Sequence, residues 1–205
     1  ILKFVKEEDI VFLNVRKNWY KVNHCYIGNY LDISSFPNFL LEKYQDLANE
    51  IYNYNSIEYI NTVFIGRNSS NNAGNDRYII NNEDYYYYLN DNNILITNLD
   101  NKTIPNKIEG IMSLLPKTII IETGSGLINL FFIPKSILKN IRFIILNPSL
   151  WKIKESRIYN IFIKLDIVPY IVNCRSVKKF ENKDEINNPF IINIEKLNET
   201  LDLLS

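Results

Sequence analysis

From Thr62 onward, short and continuously apolar runs alternate with longer amphipathic stretches. TVFIG (62–66), ILIT (94–97), TIIIE (118–122), RFIIL (142–146) and VPYIV (168–172) read as strands. Between them, helical spacing of apolar residues predicts helices over about 82–89, 105–115, 126–132 and 152–165. A linker of mixed charge then leads to a short FIIN segment (190–193) and a closing helix, IEKLNETLDLL (194–204). A strand that is apolar at every position, rather than every second one, is covered on both faces. Strands of that kind alternating with helices make an α/β fold, a Rossmann-like and mostly parallel sheet with helices on both faces. Ligands of such sheets bind at the carboxyl ends of the strands.

Before Thr62 the order is less regular. Asp9–Val15 reads as a strand. PNFLLEKYQDLANEIYNY, from Pro37, places Phe39, Leu40, Tyr44, Leu47, Ala48 and Ile51 on one helical face, with Ser34 or Ser35 available as a cap. The polar stretch NSSNNAGND (68–76) is a loop. The expected organisation is a partial N-terminal segment, 1–60, with one long helix, followed by a Rossmann-like domain, 61–205. Neither an internal repeat nor a heptad pattern is present.

Composition narrows the function classes. Lys+Arg and Asp+Glu both number 23, so there is no bulk electrostatic case for nucleic acid or an anionic membrane surface. No apolar run approaches the roughly 18 residues that span a bilayer. The expectation is a chain with no transmembrane segment, cytoplasmic if it is complete. Because it starts at Ile1, a fragment of a longer protein stays open. Cys25, Cys174 and a single histidine, His24, cannot supply a metal cluster. A Cys25–Cys174 disulfide is left open, because sequence cannot test its geometry. No DxD-like pair ends a strand, so metal independence is expected.

The strongest local feature is IIIETGSGLINLFF, 119–132. A buried strand runs into Thr123-Gly124-Ser125-Gly126 and then into an apolar stretch read as a helix. Glycine at 124 and 126 lets the backbone turn sharply and approach a ligand with no Cβ in the way. Free N–H groups at a helix start would favour an anion such as a diphosphate. The competing reading is a tight strand-to-helix turn that binds nothing.

GSGLINLFFIP, with the strand before it, resembles the signature of the family 61 glycosyltransferases. Other stretches fall in the family's order: VFIGR ending in Arg67, Arg77 to Glu83, the helical stretch Ile108 to Leu115, RFIILNPSLW, LDIVPYIV, and FIINIEKLNETLDLL. The match runs from about residue 60 to the end. Thr123 stands where many members carry His, and the Asn82-Glu83 pair lies one residue further from Arg77 than is usual. The resemblance implies the nucleotide-sugar-binding lobe of a GT-B-type, inverting transferase acting on a glycan or protein hydroxyl, with no cofactor beyond the nucleotide-sugar. It implies donor binding by Arg67, Arg77, Asn82, Thr123, Gly124, Ser125, Gly126 and Asn129. Arginines clamp phosphate oxygens bidentately. A general base must deprotonate the acceptor; Glu83 and Asp76 are the candidates, and His24 is an outsider.

Each residue has a plainer reading. Arg67 at a strand end suits a surface ion pair. Glu83 suits the first turn of a helix regardless of catalysis. Asp76 can shape its loop, and His24 can be structural. The run Tyr85–Tyr88 points around a helix and reads as packing and surface. Two other function classes are carried: an S-adenosylmethionine-dependent methyltransferase-like protein and a non-catalytic Rossmann-like interaction module. In the first, the glycine turn should follow the opening strand, whereas two strands precede it here from residue 62.

Overall fold

The computed structural model describes residues 42, 43, 45, 46, 49, 60–66, 78–99, 106, 110, 111, 113–124, 127, 130, 133–148, 152–156, 159–177 and 188–204. All belong to one compact unit, Asp32–Ser205. The expected strand Asp9–Val15, His24 and Cys25 lie outside these residues. Glu42, Lys43, Gln45, Asp46 and Asn49 are helical, as the spacing from Pro37 predicts; so are Asn106, Gly110 and Ile111.

The strands are β1 (Thr62–Gly66), β2 (Leu95–Asn98), β3 (Thr118–Glu122), β4 (Arg142–Pro148), β5 (Tyr170–Ser176) and β6 (Phe190–Ile191). They form one sheet in the order β2-β1-β3-β4-β5-β6. Every pairing is parallel except β5 with β6. The mostly parallel α/β architecture therefore stands. The helices with described bounds are α1 (Asn82–Asp91), α2 (Lys135–Leu138), α3 (Asn160–Leu165) and α4 (Ile194–Asp202), with a 3-10 turn at Ile153–Glu155.

Register explains the core. Ile65, Ile121, Ile145 and Ile171 form one row across β1, β3, β4 and β5. With Val63, Ile119 and Phe143 they pack into a cluster that includes Leu127, Leu130, Leu138, Ile153, Ile161, Phe162 and Leu165. The alternate residues Phe64, Ile120, Ile144, Leu146 and Val172 join a second cluster with Tyr85 and Leu89 of α1 and Leu197 of α4. Side chains alternate across a strand, so the two clusters occupy opposite faces of the sheet. Removing one such buried side chain, as in Ile120→Ala, costs about 2–5 kcal/mol.

Helix ends follow local chemistry. α1 stops where Asn93 adopts a left-handed φ of 54°. There the Ile94 N–H reaches the Leu89 carbonyl at 2.8 Å. α3 stops in the same way at Asp166, φ 59°, with Ile167 N–H on the Phe162 carbonyl at 2.9 Å. Asn and Asp tolerate this conformation better than most residues. α4 starts on Asn193, whose side chain accepts the Lys196 N–H at 2.9 Å.

Several boundaries differ from expectation for identifiable reasons. Ile94 closes the α1 turn, so β2 runs 95–98 rather than 94–97. β5 begins after Pro169, which has no N–H for the ladder, and continues to Ser176. Its second half alternates buried and exposed residues. The expected helix over 152–165 is split, because Ser156 is extended. The expected helix over 126–132 is corrected too. Its described residues, Leu127 and Leu130, lie in 3-10 turns, with Leu127 N–H on the Gly124 carbonyl at 3.1 Å and Ile133 N–H on the Leu130 carbonyl at 3.1 Å. No described helix is long and apolar enough to cross a membrane.

Candidate functional site at the carboxyl ends of the strands

The chain leaves β1 toward β2 on one side, then returns past β1 to β3 on the other. The strand order thus reverses between β1 and β3, and in open parallel sheets the crevice at such a reversal is where ligands bind. Gly66 ends β1, and Glu122-Thr123-Gly124 ends β3. A Cβ at Gly66 would sit 3.1 Å from Phe64 Cε1. Gly124 has φ 155°, a conformation side chains rarely adopt. Glycine is thus needed at the β3 turn by the backbone itself.

Two residues past the all-isoleucine row, on the same face, the chemistry changes abruptly. Thr123 and Asn147 are 1% and 2% exposed. Thr123 Oγ1 donates to the Leu146 carbonyl at 2.7 Å and lies 3.5 Å from Asn147 Oδ1. Asn147 Nδ2 donates to Asn173 Oδ1 at 3.3 Å and to the Pro148 carbonyl at 3.1 Å. Asn147 and Asn173 are paired in register. This polar row, buried at Thr123 and Asn147 and exposed at Asn173, ties the ends of β3, β4 and β5 together on one face. Buried amides persist because they are hydrogen-bonded.

A cleft of 560 Å³ adjoins the row. Asn147 and Asn173 form one wall; Lys152, Lys154 and Tyr159 come from the segment after β4, and Tyr170 from the start of β5. Its volume falls within the ~300–1,000 Å³ typical of small-ligand sites. Lys152 and Glu155 lie 3.7 Å apart at exposed positions.

On the opposite face, Glu122 is 7% exposed. Burial holds the Tyr85 hydroxyl well above its ordinary ionisation range, and the nearby Glu122 carboxylate adds to that. Burial pushes the Cys174 thiol up to about 12; Glu122 adds to the rise, while the main-chain N–H groups of Asn193 and Asn147 oppose it. Cys174 is therefore a protonated core thiol at neutral pH, not a nucleophile.

Of the residues expected to act, Thr123 and Gly124 sit at the strand reversal. The Thr123 hydroxyl faces the neighbouring strand. Asn82 and Glu83 are exposed in the first turn of α1. That end of the helix is fixed by Asn81, whose carboxamide donates to the Ile192 carbonyl at 3.0 Å and accepts the Ile192 N–H at 2.9 Å. Arg67, Asp76, Arg77, Ser125, Gly126 and Asn129 lie outside the described residues. Sequence reasoning missed Asn147, Asn173 and Glu122. The available signal was a polar residue directly after an apolar strand run, in FIILN, YIVN and TIIIE. Among the described residues no group of His, Cys, Asp or Glu could hold a metal ion. No protein-family model matches the chain, and no curated protein matches it.

Proposed function

We propose that this chain is the donor-binding lobe of a glycosyltransferase, doubly wound with helices on both faces and of GT-B type. It takes a nucleotide-activated sugar at the carboxyl rim and transfers the sugar, with inversion, to a glycan or protein hydroxyl. The single observation that carries the reading is the rim itself. A glycine turn at the strand reversal adjoins the Thr123–Asn147–Asn173 row, whose exposed member Asn173 opens onto a cleft with two lysines. The glycine lets a diphosphate approach the backbone, and the lysines supply cations. The ordered resemblance to family 61 supplies the sugar chemistry. Arg67, two positions after Ile65 in the sequence, is the donor-binding arginine that the family resemblance implies. Glu83 and Asp76 remain the proposed bases.

Thermal melts of the purified chain with nucleoside diphosphates, nucleotide-sugars and S-adenosylmethionine test this. A ligand at 100 times its Kd stabilises the folded state by about 2.7 kcal/mol. Stabilisation by one nucleotide or its sugar, weakened in Lys154→Ala and Asn173→Ala, is expected. Stabilisation by S-adenosylmethionine alone would replace the transferase reading with a methyltransferase one. Absence of any shift in the folded chain would leave an interaction module.

A further inference from the structure

A second cleft, of 410 Å³, opens at the other end of the sheet. It lies between the amino ends of β1, β3 and β4 and the C-terminal halves of α1 and α4. Register sets its floor. Thr62, Thr118 and Arg142 are paired across the three strands. They precede Phe64, Ile120 and Ile144 by two residues and so share the face on which α1 and α4 pack.

The cleft is chemically two-ended. Lys117 and Arg142 both line one end of it, and their main chains are joined by the Arg142 main-chain N–H on the Lys117 carbonyl at 2.8 Å. None of the described ion pairs uses either side chain. Thr118 beside them is 5% exposed, and none of the described hydrogen bonds uses its hydroxyl. A buried hydroxyl donor next to two cations is a setting for a phosphate group. The other end is rich in acceptors. Tyr88 donates to Asn198 Oδ1 at 3.0 Å, and Asn198 Nδ2 donates to Asp202 Oδ2 at 3.0 Å. The carboxyl ends of two helices add partial negative charge there. That end suits ligand hydroxyls and repels a second anion.

We infer that this cleft binds a small sugar phosphate, with the phosphate on Lys117, Arg142 and Thr118 and the sugar hydroxyls on Asp202. The site is separate from the carboxyl rim and does not rest on the nucleotide reading. Titration calorimetry with inorganic phosphate, glucose and glucose 6-phosphate tests it. Glucose 6-phosphate should bind one to one and at least tenfold tighter than either half alone. The Lys117→Ala/Arg142→Ala double variant alters exposed residues, and circular dichroism melts confirm that it folds. It should lose at least tenfold in affinity, while the rim variant Asn173→Ala keeps full affinity. Asp202→Asn should weaken glucose 6-phosphate but not inorganic phosphate. Silence with all three probes, or binding that survives the double variant, overturns the site. Equal affinities for phosphate and glucose 6-phosphate overturn the sugar half of the assignment.

Discussion

Thr123 Oγ1 donates a 2.7 Å hydrogen bond to the main-chain carbonyl of Leu146, across from the end of β3 to β4. The same carbonyl also accepts the Thr123 N–H at 3.2 Å. Thr123→Val keeps the shape and deletes only the hydroxyl. The carbonyl retains one donor, so the cost should sit near the typical net value for a hydrogen bond, about 1 kcal/mol. Urea unfolding measures it. If the hydroxyl is fully committed to Leu146, nucleotide affinity should stay within a factor of two or so of the parent's. A larger loss would mean that the threonine also touches ligand.

Gly124 tests the turn directly. At φ 155° any side chain is strained, and such conformations cost about 1–3 kcal/mol in non-glycine residues. Gly124→Ala should therefore lower the unfolding midpoint by that amount. It should also weaken the proposed nucleotide binding, because a Cβ would stand at the turn where the diphosphate is proposed to sit. Unchanged stability would show that the turn relaxes cheaply, and the steric case for a ligand would go with it.

How far the chain announced itself depends on the kind of feature. Three unbroken apolar residues in each, VFI and III, place β1 and β3 at 62–66 and 118–122 without error, because strands covered on both faces have no polar side to disguise them. The stretch after Gly126 misled, because an apolar run long enough for a helix also suits 3-10 turns that bury Leu127 and Leu130 under the sheet. The strand order needed three dimensions, since nothing local says that β3 returns past β1. Asn147 and Asn173 escaped notice for the same reason. They are 26 residues apart, and only register makes them partners. The bidentate hold of Asn81 on Ile192, 111 residues away, is equally invisible to local pattern.

Tyr85 holds a buried hydroxyl with no hydrogen-bond partner among the described residues, while its ring meets Phe64 edge-on at 5.1 Å. The ring contributes packing and the hydroxyl contributes only desolvation. Tyr85→Phe should thus be neutral or stabilising by up to about 1 kcal/mol. The folded state also holds this proton well above the ordinary value of 10.0, so the parent loses stability as pH rises past about 10. The variant should lose less. Melts at neutral and alkaline pH separate the two effects, and a destabilised variant at neutral pH would reveal a partner for the hydroxyl.

Cys174 extends the same argument to a thiol. It is fully buried and donates to the Val172 carbonyl at 3.6 Å. Its ordinary value of 9.0 rises to about 12 in the folded chain, mainly through burial. The unfolded chain therefore releases this proton first. Between about pH 9 and about pH 12 the folded state binds more protons than the unfolded one, so stability must fall as pH rises. Between about pH 8.5 and about pH 10.5 the loss from this group is on the order of 1–2 kcal/mol. Cys174→Ala should abolish that part of the slope, whatever its cost at neutral pH, so the comparison is between slopes rather than midpoints. A second reading comes from thiol labelling in a Cys25→Ser background. A protonated, enclosed thiol should react only when the chain opens, giving labelling that rises in step with unfolding across a urea series. Rapid labelling of the folded chain at neutral pH would place Cys174 within reach of solvent. It would also return the carboxyl end of β5 to the set of reactive positions.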